Sequence, residues 1–146
     1  MLVIALSSPL LVGVYENDKL ISSFKSDEKV SDSLPKIFKN ILCSFACKEL
    51  FYARGPGSFM AIKVTFVYLR SLQIALNVPL FACDGFAFNE SFPIKALGGQ
   101  WFFKEKKGIV LKENSANKTK AFKLPDVLDR KKFNDANEPL YILSAI

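Results

Sequence analysis

The spacing of apolar residues changes along the chain. From Leu2 to Phe24 they come in short runs, Leu2–Leu6 and Leu10–Tyr15 on either side of Ser7-Ser8-Pro9, then Leu20–Phe24 beyond Asn17-Asp18. Short apolar runs bounded by turn residues predict three antiparallel strands. The period then lengthens. Leu34, Ile37, Phe38, Ile41, Leu42 and Phe45 recur three and four apart, with Lys36, Lys39 and Asn40 between them. This predicts an amphipathic helix over 34–45 with Pro35 in its first turn. Next come a short apolar run (50–53), a Gly-Pro-Gly-Ser turn, a stretch without breakers from Phe59 to Leu76, and the run Val78–Cys83. They read as strand, tight loop, long helix and buried strand. Gly55 and Gly57 give the loop backbone freedom, and Ser58 is placed to cap the helix.

The predicted order is therefore βββαβαβ, an α/β arrangement whose sheet is mixed, antiparallel at one side and parallel at the other, with right-handed crossovers. It is the layout of actin-like and ribonuclease H-like lobes. Beyond Phe86 the segments IKAL, QWFFKE and IVLK, separated by Gly98-Gly99 and Lys106-Lys107-Gly108, predict a second meander. A short helix over Pro125–Phe133 and a last strand LYIL (140–143) complete the chain. The expected division is a first lobe at 1–88 and a reduced second lobe at 89–146.

The long helix is apolar nearly all round. Phe59, Ile62, Phe66, Leu69, Leu72 (or Gln73) and Leu76 form one face, while Ala61, Val64, Tyr68, Ile74 and Ala75 leave much of the other apolar. A helix of this kind is buried on two sides. One side packs on the sheet; the other packs on the second lobe or on another chain.

Composition removes much chemistry. The 146 residues include no histidine, which excludes a Ser-His-Asp triad, a Cys-His dyad and histidine-ligated metal. Cys43, Cys47 and Cys83 make a poor zinc site without histidine, so reduced, buried thiols are expected and no metal. The net charge of +6 suits a solvated surface or an acidic partner. The apolar start lacks a basic leader and turns at Ser7–Pro9, so neither a signal peptide nor a membrane span is expected, and the expected location is cytoplasmic. The Gly-rich loop lacks the Gly-Lys-Ser/Thr ending of a P-loop. Arg54 and Lys63 are its only nearby cations, the candidate anion-binding pair. Ser58 has no base to activate it, and capping accounts for it.

The segment Arg54, Gly55, Pro56, Gly57, Ser58, Phe59, followed by an apolar helix and then ALNVPLFACDGF, resembles the signature of the TsaB family, also called YeaZ, whose usual form is GRGPGSFTGLR followed by a helix and ALGIPL. The resemblance covers residues 1 to about 90 in element order and is weak beyond, as for a shortened member. It implies an actin-like (ASKHA) fold and a part in bacterial tRNA modification, in which TsaB pairs with the catalytic subunit TsaD and the ATPase TsaE to place a threonylcarbamoyl group on the adenosine next to the anticodon. ATP and a divalent metal are then expected in the partner subunits, none is expected in this chain, and tRNA is met through the complex. A homodimer of the lone chain is a further expectation. Both helices of the first lobe would enter an intersubunit bundle, with Leu34, Ile37, Phe38, Ile41, Ile62, Phe66, Tyr68 and Leu69 as candidate interface residues.

This chain departs from the family pattern. Met60-Ala61 replaces Thr-Gly, Lys63 stands where arginine is usual, and Leu6-Ser7-Ser8 replaces Asp-Thr-Ser. The first-strand carboxylate that holds a metal beside phosphate in actin-like phosphotransferases and ribonuclease H-like nucleases is therefore missing. Three readings remain. The first is a non-catalytic scaffold that holds a TsaD-like enzyme in its active form. The second is an enzyme, a nucleotide-dependent transferase or the protease once suspected for relatives, which lacks recognisable machinery here. The third is an RNA-binding module using the second lobe, where Lys104, Lys106, Lys107, Lys112, Lys118, Lys120, Lys123, Arg130, Lys131 and Lys132 accompany Trp101, Phe102 and Phe103. Aromatics beside lysines stack on bases, and aromatics in a meander also form cores.

Overall fold

A computed structural model describes residues 1–96 and 98–141. Its elements are β1 (Leu2–Ile4), β2 (Leu10–Glu16), β3 (Lys19–Ser26), α1 (Val30–Ser44), β4 (Leu50–Ala53), α2 (Phe59–Leu76), β5 (Leu80–Cys83), β6 (Ile94–Lys95), β7 (Gln100–Glu105) and β8 (Gly108–Glu113). The first five strands make one sheet in the order β3-β2-β1-β4-β5. β1 to β3 pair antiparallel, whereas β1/β4 and β4/β5 are parallel. The expected βββαβαβ order and mixed sheet are both found. Asn17 and Asp18 turn the β2–β3 hairpin at φ 51° and 65°, the left-handed pair whose twist suits a two-residue loop.

Successive strand residues face opposite sides, so the continuous apolar runs of β1, β4 and β5 supply two layers. Val3, Leu50, Tyr52, Leu80 and Ala82 pack with Leu34, Phe38 and Ile41 of α1 and Leu69 of α2. Leu2, Ile4, Phe51, Ala53 and Cys83 face the other way, against Leu124, Leu128 and Phe133. Ile62 in the first turn of α2 and Phe88 join this layer, but among the described residues no helix lies across it. An extended strap does, entering where Val127 bridges Lys19 on one edge strand and leaving where Asn134 bridges Ala82 on the other. Four interstrand steps span about 19 Å and seven extended residues reach about 23 Å. There is no slack for a helix, and the one expected over Pro125–Phe133 is instead a single 3-10 turn at Arg130–Lys132.

Of residues 89–146, then, β6 to β8 form a separate three-stranded sheet, while 122–133 complete the core of the first. The expected last strand is not formed at Leu140 and Tyr141, although the Leu140 N–H donates to the Arg54 carbonyl at 2.7 Å; Ile142 and Leu143 lie outside the described residues. In IKAL only Ile94 and Lys95 are strand, and Leu97 lies outside the described residues.

Helix α1 begins four residues earlier than the apolar period indicates, so Pro35 sits inside the helix and not in its first turn. The extension is mostly polar and carries no periodic signal. It is held by Val30 packing on the core and by buried Ser33, whose hydroxyl donates to the Lys29 carbonyl at 2.9 Å. The cysteines are free, but only Cys83 is buried; Cys43 is exposed and Cys47 half-buried, because the α1 face that carries Cys43 turns away from the sheet.

The strap is tied by charge as well as by packing. Arg130 donates to both carboxylate oxygens of Glu49 and to Asp18, each at 2.8 Å, with its guanidinium 5.6 Å over the Phe51 ring. The bidentate bond to Arg130 holds the Glu49 carboxyl below its ordinary value of 4.5. A carboxyl lowered in the folded state adds stability that is complete above its unfolded value and is lost as pH falls through the folded one. Glu49→Gln should therefore shift the urea midpoint downward at pH about 7, and that deficit should shrink at pH about 3. An equal deficit at both pH values would mean that the ion pair does not anchor the strap.

Candidate functional site

The loop between β4 and α2 is shaped by close backbone contacts. Gly55 lies at φ 133°, where a Cβ would run into the Leu140 carbonyl, and its own carbonyl accepts from the Gly85 N–H at 2.9 Å. A Cβ on Gly57 would sit 2.6 Å from the Leu6 carbonyl oxygen. That same oxygen accepts from the Ser58 N–H at 2.9 Å. Ser58 caps α2 as expected, its hydroxyl accepting from the Ala61 N–H at 3.4 Å. At the far end Asn77 adopts the left-handed conformation that closes helices, two residues before Pro79. The Ser58 N–H is thus spent on the segment that follows β1, and the turn acts as a mount for the helix.

Leu6 is buried and lies against Gly85 in the strap-side core. Among the described residues no cluster of three or more cysteines and carboxylates is arranged to hold a metal. Arg54 and Lys63 do not line the same cleft. Arg54 donates through Nε to the Glu138 carbonyl at 2.7 Å and lines a cleft of about 770 Å³ at the carboxyl ends of β4 and β5. Lys63 is exposed on α2 and does not line it. The cleft also holds Asp84, Lys104, Lys123 and Lys132. The sequence reading passed over Asp84, whose signal was its place directly after a buried strand. One of its oxygens accepts from the Phe86 N–H at 3.0 Å and the other pairs with Lys104 at 2.7 Å. The neighbouring Cys83 thiol is pushed up to about 12, first by burial and then by Asp84, which makes it inert at neutral pH.

The helices put their apolar residues in places the sequence could not assign. Leu34, Ile37, Phe38, Ile41, Ile62 and Leu69 are buried in the chain's own core, and Phe66 and Tyr68 are half-buried against it. The Phe38 and Tyr68 rings meet edge to face at 5.6 Å. These eight, the candidate interface residues, join α1 and α2 to the rest of this chain. The exposed outer side of α1 is polar, with Lys36, Lys39 and Asn40. Of the two helices it is α2 that carries the apolar surface, and only Ile62, Thr65 and Leu69 of it are buried. Met60, Val67 and Ile74 are 70%, 56% and 74% exposed. They stand seven residues apart, so they form one stripe nearly parallel to the helix axis, the spacing of a helix-packing seam. At its upper end Phe59 meets Tyr141 edge to face at 5.5 Å. A cleft of about 540 Å³ opens beside Met60, between α2 and the start of α1.

By length and composition α2 is also apolar enough to cross a membrane, with mean hydropathy 1.4. Its attachment between two parallel strands gives it another role, since it is the crossover that joins β4 to β5. The mount can be tested directly. Gly57→Ala should destabilise the chain by about 1–3 kcal/mol through overpacking, and Ser58→Ala by about 1 kcal/mol through loss of the cap, both read by urea denaturation. A neutral Gly57→Ala would contradict the tight contact with Leu6.

No family model and no curated protein sequence matches the chain. Among solved structures it is similar to YeaZ from Pseudomonas aeruginosa, with a TM-score of 0.62 and 14% identity over 77% of this chain and 63% of that one. It is also similar to an uncharacterized protein with similarity to peptidase YEAZ from the same organism, with a TM-score of 0.60 and 14% identity over 77% of this chain and 62% of that one. The chain thus spans somewhat less than two thirds of the structures it matches. In fold, this chain is YeaZ-like.

Proposed function

We propose that the chain is a non-catalytic subunit of a tRNA-modifying assembly, docking through the outer stripe of α2 onto a helix of a TsaD-like catalytic subunit. The observation that carries this reading is the stripe of Met60, Val67 and Ile74, exposed on a helix whose other side is fixed to the sheet. Burying side chains of this kind stabilises a complex by about 1.5–3 kcal/mol each before the costs of association. The YeaZ-like fold and the RGPGSF loop favour tRNA threonylcarbamoylation as the setting. The lack of histidine and the presence of Leu6 in place of a first-strand carboxylate favour a role without chemistry of its own. On this reading ATP and a divalent metal are held by the TsaD-like subunit and a TsaE-like ATPase, and tRNA is met by the assembly.

The test is reconstitution. The chain alone should modify no tRNA, and its addition should restore threonylcarbamoylation to the TsaD-like protein of the same organism. Val67→Asp places a charge in the centre of the stripe at a position 56% exposed. Folding should tolerate it, whereas restoration should fall by a factor of ten or more. Full restoration by a folded Val67→Asp chain would refute the docking surface; turnover by the unmixed chain would refute the non-catalytic role.

A further inference from the structure

We infer that the outer face of the β6–β8 sheet is a stacking surface for an unpaired stretch of polynucleotide. It goes beyond the subunit reading and does not depend on the α2 stripe. The register of the sheet sorts its aromatics. Phe102 pairs with Leu111 and Ile94 and lies on the inner face, in a cluster with Phe86 and Ile109. Trp101 and Phe103 flank it in sequence and so point outward, with Val110 opposite Phe103. This outward trio belongs to none of the buried clusters. The inner face accounts for the core role of one aromatic only.

The surroundings of the outward pair select the occupant. Lys95 and Lys112 are the cross-strand neighbours of Trp101, one on each side. The Lys112 ammonium lies 4.7 Å from the centre of the Phe103 ring and pairs with Glu105 at 2.6 Å. Lys106 and Lys107 are exposed in the turn at the edge of the platform. Four lysines thus surround two rings, with Glu105 as the carboxylate on the same face. An apolar protein surface would leave these ammonium groups to be desolvated, whereas unpaired bases bring phosphates to meet them. Trp101 and Phe103 stand two strand residues apart, about 7 Å, a step that successive splayed bases of an extended strand can follow.

The chain provides its own probe, because Trp101 is its one tryptophan. The full chain is titrated with oligouridylate and with oligothymidylate, each about twelve nucleotides long, following tryptophan emission and, with an end-labelled strand, anisotropy. Saturable quenching is expected, with an affinity that falls as salt rises by about 0.7 log units per log unit of salt for each phosphate neutralised. Phe103→Ala should weaken binding about tenfold. Lys106→Glu with Lys107→Glu, both in an exposed turn, should reduce affinity and salt dependence without altering the emission of the free chain. Equal quenching by both polymers would assign the surface to single strands of either sugar, and stronger quenching by the ribose polymer would assign it to RNA; both outcomes support the inference. Absence of quenching by either polymer would overturn it. Anisotropy changes with unaltered tryptophan emission, or quenching only by a protein partner, would do the same.

Discussion

The approach of Gly57 to the carbonyl of Leu6 is the constraint on which the remainder of the first sheet depends. At that point the chain passes from a buried parallel strand into a long helix, and no side chain fits between the loop and Leu6, just beyond β1. The contact is sealed by the Ser58 N–H on the same oxygen, and it fixes the point from which α2 leaves the sheet. With its start held and its end closed at Asn77, the helix presents Leu69 to the sheet and turns Met60, Val67 and Ile74 outward. The exposed stripe is a geometric consequence of the mount. Replacing Leu6 by a carboxylate would bring an unpaired charge into an apolar cluster, so the same packing that positions the helix leaves no place there for a metal-binding acid.

The opposite face has a different solution. On this side the strap from Val127 to Asn134 lies across β1, β4 and β5 and covers them with few residues. It crosses all five strands and joins the free edges at both sides, which also shields unpaired backbone groups from other chains. Arg130 fastens it at mid-span between Glu49 and Asp18. The outcome is a sheet covered on both faces, with helices on one side and a strap on the other, and with β6–β8 as an appended sheet whose inner face rests on Phe86.

Much of this was legible in the sequence because its signals are local. Short apolar runs, the Asn17-Asp18 turn and the glycine loop located all five strands and both helices, since backbone preferences and period act within a few residues. The misreadings concern contacts distant in sequence. Leu34, Ile37, Phe38 and Ile41 show an apolar face, but period alone does not say whether a sheet or a partner meets it. Helix α2 was the harder case, because a helix apolar all round gives no phase; only the sheet decides that Leu69 is inside and Val67 outside. The segment 125–133 reads in the sequence as a short helix, and the width it must cross draws it out. Similarly, Trp101, Phe102 and Phe103 are equivalent as letters, and the strand register alone separates the inner ring from the outer two.

The central claim is that the outer stripe of α2 is a docking surface for a TsaD-like subunit. Hydrogen exchange read by mass spectrometry, on the chain alone and mixed with that protein, tests it most directly. The amides of the segment 59–76 should gain protection in the mixture, most strongly between Met60 and Ile74, while those of β7 and β8 remain unchanged. A complex that forms with α2 exchanging as it does in the free chain would contradict the claim.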